Sequence, residues 1–216
     1  MPRKARIIVA GMVYHVFCRG NRKQKIFFNN KDRLKFLYIL LDAKERFPVW
    51  IYALVLMPNH THYLLEPQQP EYLSKFMHYV NTCFSIYINK KYNQVGHLFQ
   101  DRFKSIPIDS ESYLWRVFAY VHINPAKDGL VEKPENYKWS SYPIYLQDIL
   151  TISPRFYTKR EQKILEKLID KEIFLEHYSS IFKNDKIEAI KECKKFVDDV
   201  FKEKIWLKED WSEHDV

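Results

Sequence analysis

Glycine is scarce in this 216-residue chain, and long apolar runs are missing. With only four glycines, 46% hydrophobic residues and 16% aromatic residues, the chain has ample material for a packed core, which argues against wholesale disorder. The longest apolar run, Val49 to Met57, has nine residues, whereas a membrane-spanning helix needs about 20. We therefore expect no membrane segment. The basic N-terminus precedes only a short apolar stretch without a small-residue cleavage site, so we also expect no signal peptide.

Cysteine is scarce as well. Cys18, Cys83 and Cys193 are odd in number, lie far apart and show no CxxC spacing. This pattern favours reduced core or surface thiols, as in a cytosolic protein. The sequence therefore predicts a cytoplasmic location.

Positive charge is in excess and is unevenly distributed. The chain has 35 Lys and Arg against 27 Asp and Glu, a net charge of +8. Residues 151–216 hold 14 of the basic and 15 of the acidic residues, which leaves 21 basic and 12 acidic residues in 1–150. A basic region rich in aromatic residues favours a nucleic-acid partner, because phosphate neutralisation releases counterions and aromatic faces stack on bases. Basicity kept for solubility is the alternative.

Hydrophobic periodicity predicts the order β-α-β-β-α-β-α over residues 1–150. The first six elements match a ferredoxin-like split β-α-β arrangement, an α+β fold with an antiparallel sheet and helices on one face. Pro125 should end the last helix, because the residue before a proline avoids helical dihedrals. Residues 151–216 are predicted to form a C-terminal helical extension, with helices beginning at about 159 and covering about 185–205.

The triplet His60-Thr61-His62 lies on a predicted strand. Successive side chains on a strand point to opposite faces, so His60 and His62 share one face and Thr61 points away. Two neutral imidazoles can hold one divalent ion and leave positions open, which suits a catalytic site better than a closed structural one. Two half-buried, hydrogen-bonded histidines are the ordinary alternative.

The helix around Tyr120 carries a second candidate group. At about 100° per residue, Tyr113, Tyr120 and Asn124 lie on one stripe beside the apolar face. A phenol, with an ordinary pKa of about 10, needs help from a metal and from precise positioning to act as a nucleophile. A packed tyrosine with its hydroxyl in water, and an asparagine that ends the helix, are the alternatives.

Two polar and basic loops are candidates for tracking a phosphate backbone. Each could equally consist of ordinary solvated surface residues. Their candidate DNA-binding residues are Arg19, Asn21, Arg22 and Lys23 in the first loop, and His97, Gln100, Arg102 and Lys104 in the second.

Over about residues 1–146 the chain resembles the REP-associated tyrosine transposases, a branch of the single-tyrosine HUH transposases. Several long blocks occur in the right order, which is more specific than the histidine triplet alone. The blocks are P-R-K-A-R…Y-H-V-F-C-R-G-N-R (2–22), Y-A-L-V-L-M-P-N-H-T-H-Y-L-L-E (52–66), G-H-L-F-Q-D-R-F-K-S (96–105), Y-L-W-R-V-F-A-Y-V-H-I-N-P-A-K-D-G-L-V (113–131) and Y-K-W-S-S-Y (137–142).

The resemblance implies a catalytic domain over 1–150 that cleaves and rejoins single-stranded DNA near hairpin-forming repeats. It implies that His60 and His62 are metal ligands for Mg²⁺ or Mn²⁺, and that Tyr120 attacks a DNA phosphate to give a 5′-phosphotyrosine link. Asn124 matches the third metal ligand, a place that glutamine often fills in related transposases. Thr61 stands where an apolar residue is usual. Members of the wider family act as monomers or homodimers, so the oligomeric state stays open.

Two rival functions are compatible with the same residues. One is a metal-dependent nuclease in which His60 and His62 activate water and Tyr120 is structural. The other is a catalytically silent or domesticated nucleic-acid-binding regulator on the same fold. A covalent protein–DNA adduct distinguishes the transposase from both.

Overall fold

The computed structural model describes residues 7–150, 157–178 and 185–203. The block at 2–6 lies outside the described residues, as do 151–156, 179–184 and 204–216 of the predicted extension. None of the described helices is long and apolar enough to cross a membrane. The strands are β1 (Tyr14–Arg19), β2 (Val49–Leu56), β3 (His60–Pro67) and β4 (Lys104–Pro107), and the helices are α1 (Asn30–Arg46), α2 (Pro70–Tyr92), α3 (Glu111–Lys127), α4 (Tyr142–Leu146), α5 (Lys159–Leu168), α6 (Lys171–Tyr178) and α7 (Lys186–Glu203).

The four strands form one antiparallel sheet in the order β2-β3-β1-β4. β1 lies inside the sheet because it pairs with β3 on one side and with β4 on the other. This is the order that a ferredoxin-like split β-α-β arrangement produces, so the predicted α+β fold is confirmed. The register sets His60 opposite Arg19 and His62 opposite Phe17, and so brings the start of β3 to the end of β1.

The helices α1 and α2 cover one face of the sheet, as predicted. A capping box begins α1: the Asn29 side chain accepts from the Asp32 N–H, and the Asp32 carboxylate accepts from the Asn29 N–H. Asp32 also accepts from Lys91 at the end of α2, which ties the two helices together. Asn81 of α2 donates to Cys18 Sγ at 3.3 Å, so the face that carries Cys18 is the one beneath α2.

The opposite face is covered by α3 and α6, so the sheet has helices on both faces. Phe118 of α3 and Phe174 of α6 stack with ring centroids 5.0 Å apart and planes 10° from parallel. Phe174 also packs against Tyr52 of β2, with centroids 5.2 Å apart. The split β-α-β unit keeps both of its own helices on one face, and the second layer comes from elements that follow it in the chain.

The C-terminal helices share the hydrophobic core of the sheet. The predicted helices at 159 and 185 are present as α5 and α7, and α6 is an additional one between them. Asp170, in the connection to α6, accepts from the backbone N–H of Ile51 at 2.7 Å and from Lys44 Nζ at 2.6 Å. The described part of the extension is therefore bonded to β2 and α1, while a separate catalytic unit over 1–150 stays a prediction.

The helix α3 continues through Pro125 to Lys127, so the prediction that Pro125 ends the helix is wrong. Pro125 lies in the last turn, where its missing N–H removes only the one helical bond that it would donate to Val121 O. Here the N–H of Asp128 donates to Asn124 O at 3.0 Å, and the N–H of Leu130 donates to Pro125 O at 2.9 Å. Asn124 is therefore helical and stays one turn from Tyr120.

His122 is a fully buried titratable group of the core. Its Nε2 lies 2.8 Å from Ser141 Oγ, and its ring packs between those of Phe118 and Tyr142. Burial lowers the pKa of His122 to about 3. In the unfolded chain the same imidazole has a pKa of about 6.5, so the unfolded state binds a proton first as the pH falls.

The protein should therefore lose stability on acidification. Because the folded pKa is depressed, the contribution of His122 is fully present above pH 6.5 and is lost as the pH falls toward 3. Between pH 7 and pH 5 we expect His122 alone to lower the free energy of unfolding by about 2 kcal/mol. Urea unfolding at both pH values should show a decline that is smaller by this amount in His122→Gln, which keeps a partner for Ser141. Equal declines in the two proteins would contradict the assignment.

Candidate active site

The side chains of His60 and His62 lie on the same face of β3, as the strand alternation predicts. Their ring centroids are 5.0 Å apart and the ring planes are nearly perpendicular, at 87°. Thr61 is fully buried and His62 is 7% exposed. The two histidines therefore lie at the beginning of β3, on the face of the sheet that α3 covers.

Each imidazole of the pair is held through its Nδ1 atom. His60 Nδ1 lies 2.7 Å from Asn59 Oδ1, an amide oxygen that can only accept. His60 therefore carries its proton on Nδ1 and presents the lone pair of Nε2. His62 Nδ1 lies 2.9 Å from His15 Nε2. The Nε2 atoms of His60 and His62 are thus the ones that remain to bind a ligand.

His15 is a further residue of the site, and no sequence pattern indicates it. It is fully buried on β1, and its ring centroid lies 5.1 Å from that of His62 and 5.8 Å from that of Tyr120. Phe17 shares this face and lies 5.6 Å from His62. His15 and His62 are 47 positions apart in sequence. They meet only because of the register between β1 and β3. A single histidine in a strand gives no signal by itself.

The ring of Tyr120 reaches the histidines from α3. It meets His62 edge-on, with centroids 5.7 Å apart and planes at 88°. Lys127 follows Tyr120 by two turns of α3, and its Nζ lies 5.7 Å from the centre of the same ring. Tyr120, His62 and His15 are therefore gathered into one cluster by three different elements.

Asn124 is 4% exposed and lies one turn beyond Tyr120. Its Nδ2 donates to the backbone oxygen of Tyr120 at 2.9 Å. This bond uses the amide nitrogen inside the helix and leaves Oδ1 as the atom that could serve as a ligand.

Burial keeps the histidines of the cluster uncharged. It lowers the pKa of His15 to about 3, and burial together with the charge of Arg19 lowers the pKa of His60 to about 4. The pKa of His62 is well below its ordinary value, first through burial and then through the neighbouring His60, His15 and Arg19. At neutral pH the imidazoles are therefore neutral, the form in which histidine binds metals.

The residues of the cluster fit an open metal site better than a closed one. Across 7–150, 157–178 and 185–203, no group of three or more His, Cys, Asp or Glu residues is arranged to hold a metal ion. The available donors in the cluster are the Nε2 nitrogens of the two imidazoles. A divalent ion held by this set would keep positions for a phosphate oxygen or water, as a catalytic metal requires.

The two basic loops form one continuous surface beside the histidine pair. Backbone bonds join them: the Asn21 N–H donates to Leu98 O at 2.8 Å, and the Gln100 N–H donates to Arg19 O at 2.9 Å. Gly20 bonds in turn to the backbone oxygen of Asn59, the residue before His60, at 2.8 Å. We call residues 19–25 and 96–104 the basic rim. Its predicted DNA-binding residues are exposed or half-buried: Arg19, Asn21, Arg22, Lys23, His97, Gln100, Arg102 and Lys104.

A groove of about 790 Å³ extends from the basic rim along α2. His97, Gln100 and Arg102 line it together with polar side chains of α2 such as Asn81 and Asn89. Because α2 covers the face of the sheet opposite the histidine pair, these three rim residues lie in the groove and not beside His60 and His62. The rim thus connects the groove to the histidine cluster around the end of β1.

The family model for IS200-like transposases matches residues 8–124, more than half of the chain. The chain belongs to the IS200-like transposase family. The matched range begins before β1 and ends at Asn124, so it includes every member of the histidine–tyrosine cluster. The expectation of a transposase, drawn from the resemblance of the sequence blocks, is confirmed.

The fold of this transposase is similar to that of one solved structure in particular. A REP-associated tyrosine transposase bound to a REP hairpin is 19% identical, with a TM-score of 0.59, and the match covers 70% of this chain and 89% of that chain. A protein described as a transposase from Deinococcus radiodurans is 17% identical over 56% of this chain and 95% of that chain, with a TM-score of 0.38. Comparison with curated protein sequences gives no match.

Gly20 is required where the basic rim meets β3. A Cβ atom at this position would lie 2.3 Å from the backbone oxygen of Gln24 and 2.8 Å from the side chain of Ile26. We expect Gly20→Ala to lower the free energy of unfolding by about 1–3 kcal/mol, as overpacking does, and to displace the rim. Val95→Ala is the control, since Val95 is 99% exposed beside the rim and its side chain can be shortened without strain. Thermal unfolding together with DNA affinity tests this, and a Gly20→Ala protein that behaves like Val95→Ala would contradict it.

Proposed function

We propose that this transposase cleaves and rejoins single-stranded DNA through a 5′-phosphotyrosine intermediate on Tyr120. The observation that carries the proposal is the contact between the Tyr120 ring and His62, whose centroids are 5.7 Å apart in a chain of this family. If Tyr120 had only a structural role, its ring would not need to lie against a histidine that is able to bind a metal.

His60 and His62 would hold a divalent ion, Mg²⁺ or Mn²⁺, through their Nε2 atoms, with Asn124 Oδ1 as a third ligand. Such an ion, when bound, polarises a phosphoryl oxygen and offsets the charge that develops on it. The chain's own contribution is to fix the two imidazoles through Asn59 and His15 and to keep them neutral by burial.

In the cleavage step, the Tyr120 oxygen forms a bond to phosphorus as the bond from phosphorus to the 3′-oxygen breaks. The phenolic proton passes to water, and the departing 3′-oxygen takes a proton from water to become a hydroxyl, so the proton count balances. The linkage of phosphorus to the 5′-oxygen stays intact. Because a phosphodiester is exchanged for a phosphodiester of tyrosine, attack by a 3′-hydroxyl reverses the step and joins strands without a further energy source.

Arg19 is suited to hold the phosphate next to the cluster. It lies opposite His60 in the sheet, and its Nε is buried without a hydrogen-bond partner among the described residues. A buried guanidinium nitrogen of this kind favours an anionic oxygen as its partner. We propose that Arg19 binds the DNA backbone at the point where the strand enters the site.

The remaining rim residues would hold DNA farther from the cleavage point. Asn21, Arg22 and Lys23 would contact one stretch of backbone, and Lys104, at the start of β4, would lie along the same path. His97, Gln100 and Arg102 would hold a strand in the groove along α2. Since the REP-associated transposase with this fold is bound to a REP hairpin, we propose hairpin repeats as the substrate here too. The catalytic unit is proposed to span 1–150, acting as a monomer or homodimer in the cytoplasm.

Tyr120→Phe tests the nucleophile. On a labelled hairpin oligonucleotide with Mg²⁺ or Mn²⁺, we expect the parent protein to form an SDS-resistant adduct. The variant should lose at least about 1,000-fold in cleavage rate while still binding DNA, because only the attacking oxygen is removed. Tyr113→Phe, on the same stripe of α3, is the matched control and should cleave normally.

The rival functions give different outcomes in the same assay. Cleavage that persists in Tyr120→Phe, with no adduct in the parent protein, would identify a metal-dependent nuclease that uses water. Binding that survives in a His60→Ala/His62→Ala variant, with no cleavage by the parent under any metal, would identify a silent binding protein.

Arg22→Ala and Arg102→Ala test the basic rim. Each should weaken binding of the single-stranded flank, and each should reduce the slope of log affinity against log salt by about 0.7, because one phosphate contact is lost. Fluorescence anisotropy at several salt concentrations measures both effects. Lys191→Ala, which removes an exposed charge from α7, is the control. If the salt slope is unchanged in both rim variants, the basic rim does not contact the DNA backbone.

A further inference from the structure

We propose that His15 is a positioning residue that orients His62 for metal binding by accepting a hydrogen bond from its Nδ1 atom. The inference rests on the proposed function, since it assigns His15 a role toward the same metal centre. It adds a residue from β1 to a metal centre whose proposed ligands come from β3 and α3.

The contact between the two histidines has only one direction that permits metal binding. His15 Nε2 and His62 Nδ1 are 2.9 Å apart, so one of these nitrogens carries a proton and the other accepts it. If His62 accepts, its own proton sits on Nε2, and that nitrogen has no lone pair for a metal. If His62 donates from Nδ1, its Nε2 lone pair is free. The metal-competent arrangement therefore requires His15 to be the acceptor.

This arrangement reproduces at His62 what Asn59 does at His60. The Asn59 amide oxygen lies 2.7 Å from His60 Nδ1 and fixes the Nδ1–H form of that ring. Outer partners that fix the tautomer and orientation of a ligand histidine commonly change metal affinity by about 10–100-fold when they are replaced. The two ligand rings would thus each have an outer acceptor, one from the turn before β3 and one from β1.

Packing fixes His15 in the position that the hydrogen bond requires. Its side chain is fully buried, its ring lies 17° from parallel to that of His62, and Phe17 flanks both rings at 5.3 Å and 5.6 Å. The edge contact with Tyr120, at 5.8 Å between centroids, means that the same ring also borders the proposed nucleophile. His15 therefore contacts both the proposed ligand and the proposed nucleophile, which also contact each other.

In this arrangement His15 carries its own proton on Nδ1. That nitrogen is buried and meets no hydrogen-bond partner among the described residues. A buried N–H without a partner costs free energy. We therefore expect this tautomer of His15 to predominate when a metal ion is bound to His62 Nε2, because the metal bond offsets that cost. The tautomer of His15 in the metal-loaded protein is consequently a direct signature of the proposed role.

Mn²⁺ affinity, measured by calorimetry, tests the role of His15 without reliance on DNA cleavage. His15→Phe keeps a ring but removes the acceptor, and we expect Mn²⁺ binding to weaken by about 10–100-fold. His15→Gln places an amide oxygen near the position of Nε2 and should restore the affinity to within about threefold of the parent protein. His122→Gln is the matched control and should bind as the parent does, because His122 is a buried histidine that contacts Ser141 and Tyr142 instead of His62. Circular dichroism verifies that each variant is folded.

The tautomers are measured by ¹⁵N NMR of the imidazoles in the parent protein saturated with Mg²⁺. We expect His15 and His62 both to carry their protons on Nδ1. This measurement needs no variant, so it decides the question even if His15→Phe fails to fold.

The outcomes separate failure of the inference from failure of the proposed metal centre. If the parent binds Mn²⁺, His60→Ala does not, and a folded His15→Phe binds as tightly as the parent, His15 has no such role and the centre stands. A His15 protonated on Nε2 in the Mg²⁺-loaded protein would overturn the role as well. If the parent protein binds no Mn²⁺, the metal centre fails and the inference fails with it.

Discussion

The antiparallel pairing of β1 with β3 is the constraint on which the rest of the site depends. Its register sets His60 opposite Arg19 and His62 opposite Phe17. From this one ladder follow the contact between His15 and His62, the approach of Arg19 to the histidine pair, and the attachment of the basic rim to the turn before β3. A shift by one residue would turn His60 and His62 to the α2 side of the sheet, away from Tyr120.

The helix α3 is the second requirement, because it brings the ring of Tyr120 against His62. Its position is fixed by aromatic packing, in which Phe118 stacks on Phe174 of α6. The C-terminal helices therefore support the helix that carries the proposed nucleophile, although they lie beyond the range that the transposase family matches. Residues 151–216 lack the net positive charge of residues 1–150. The apolar faces of their described helices nevertheless belong to the same hydrophobic core.

Strand alternation and helix periodicity predicted the elements of the split β-α-β unit, the shared face of His60 and His62, and the spacing of Tyr120 and Asn124. They failed at Pro125, because local propensity does not include the partners that α3 finds for its last backbone groups. They also gave no signal for His15, whose partner lies 47 residues away in sequence. The two basic loops could be recognised as basic, but nothing local indicated that backbone bonds join them into one surface.

The sequence by itself determined the fold class, the family and the identity of the chemical groups, because these depend on residue type and on short-range spacing. The tertiary structure decided which groups meet. It placed His15 against His62, put His97, Gln100 and Arg102 into a groove beside α2, and packed α6 and α7 against α3. These contacts join distant segments, and their distances depend on strand register and core packing, which local sequence patterns do not specify.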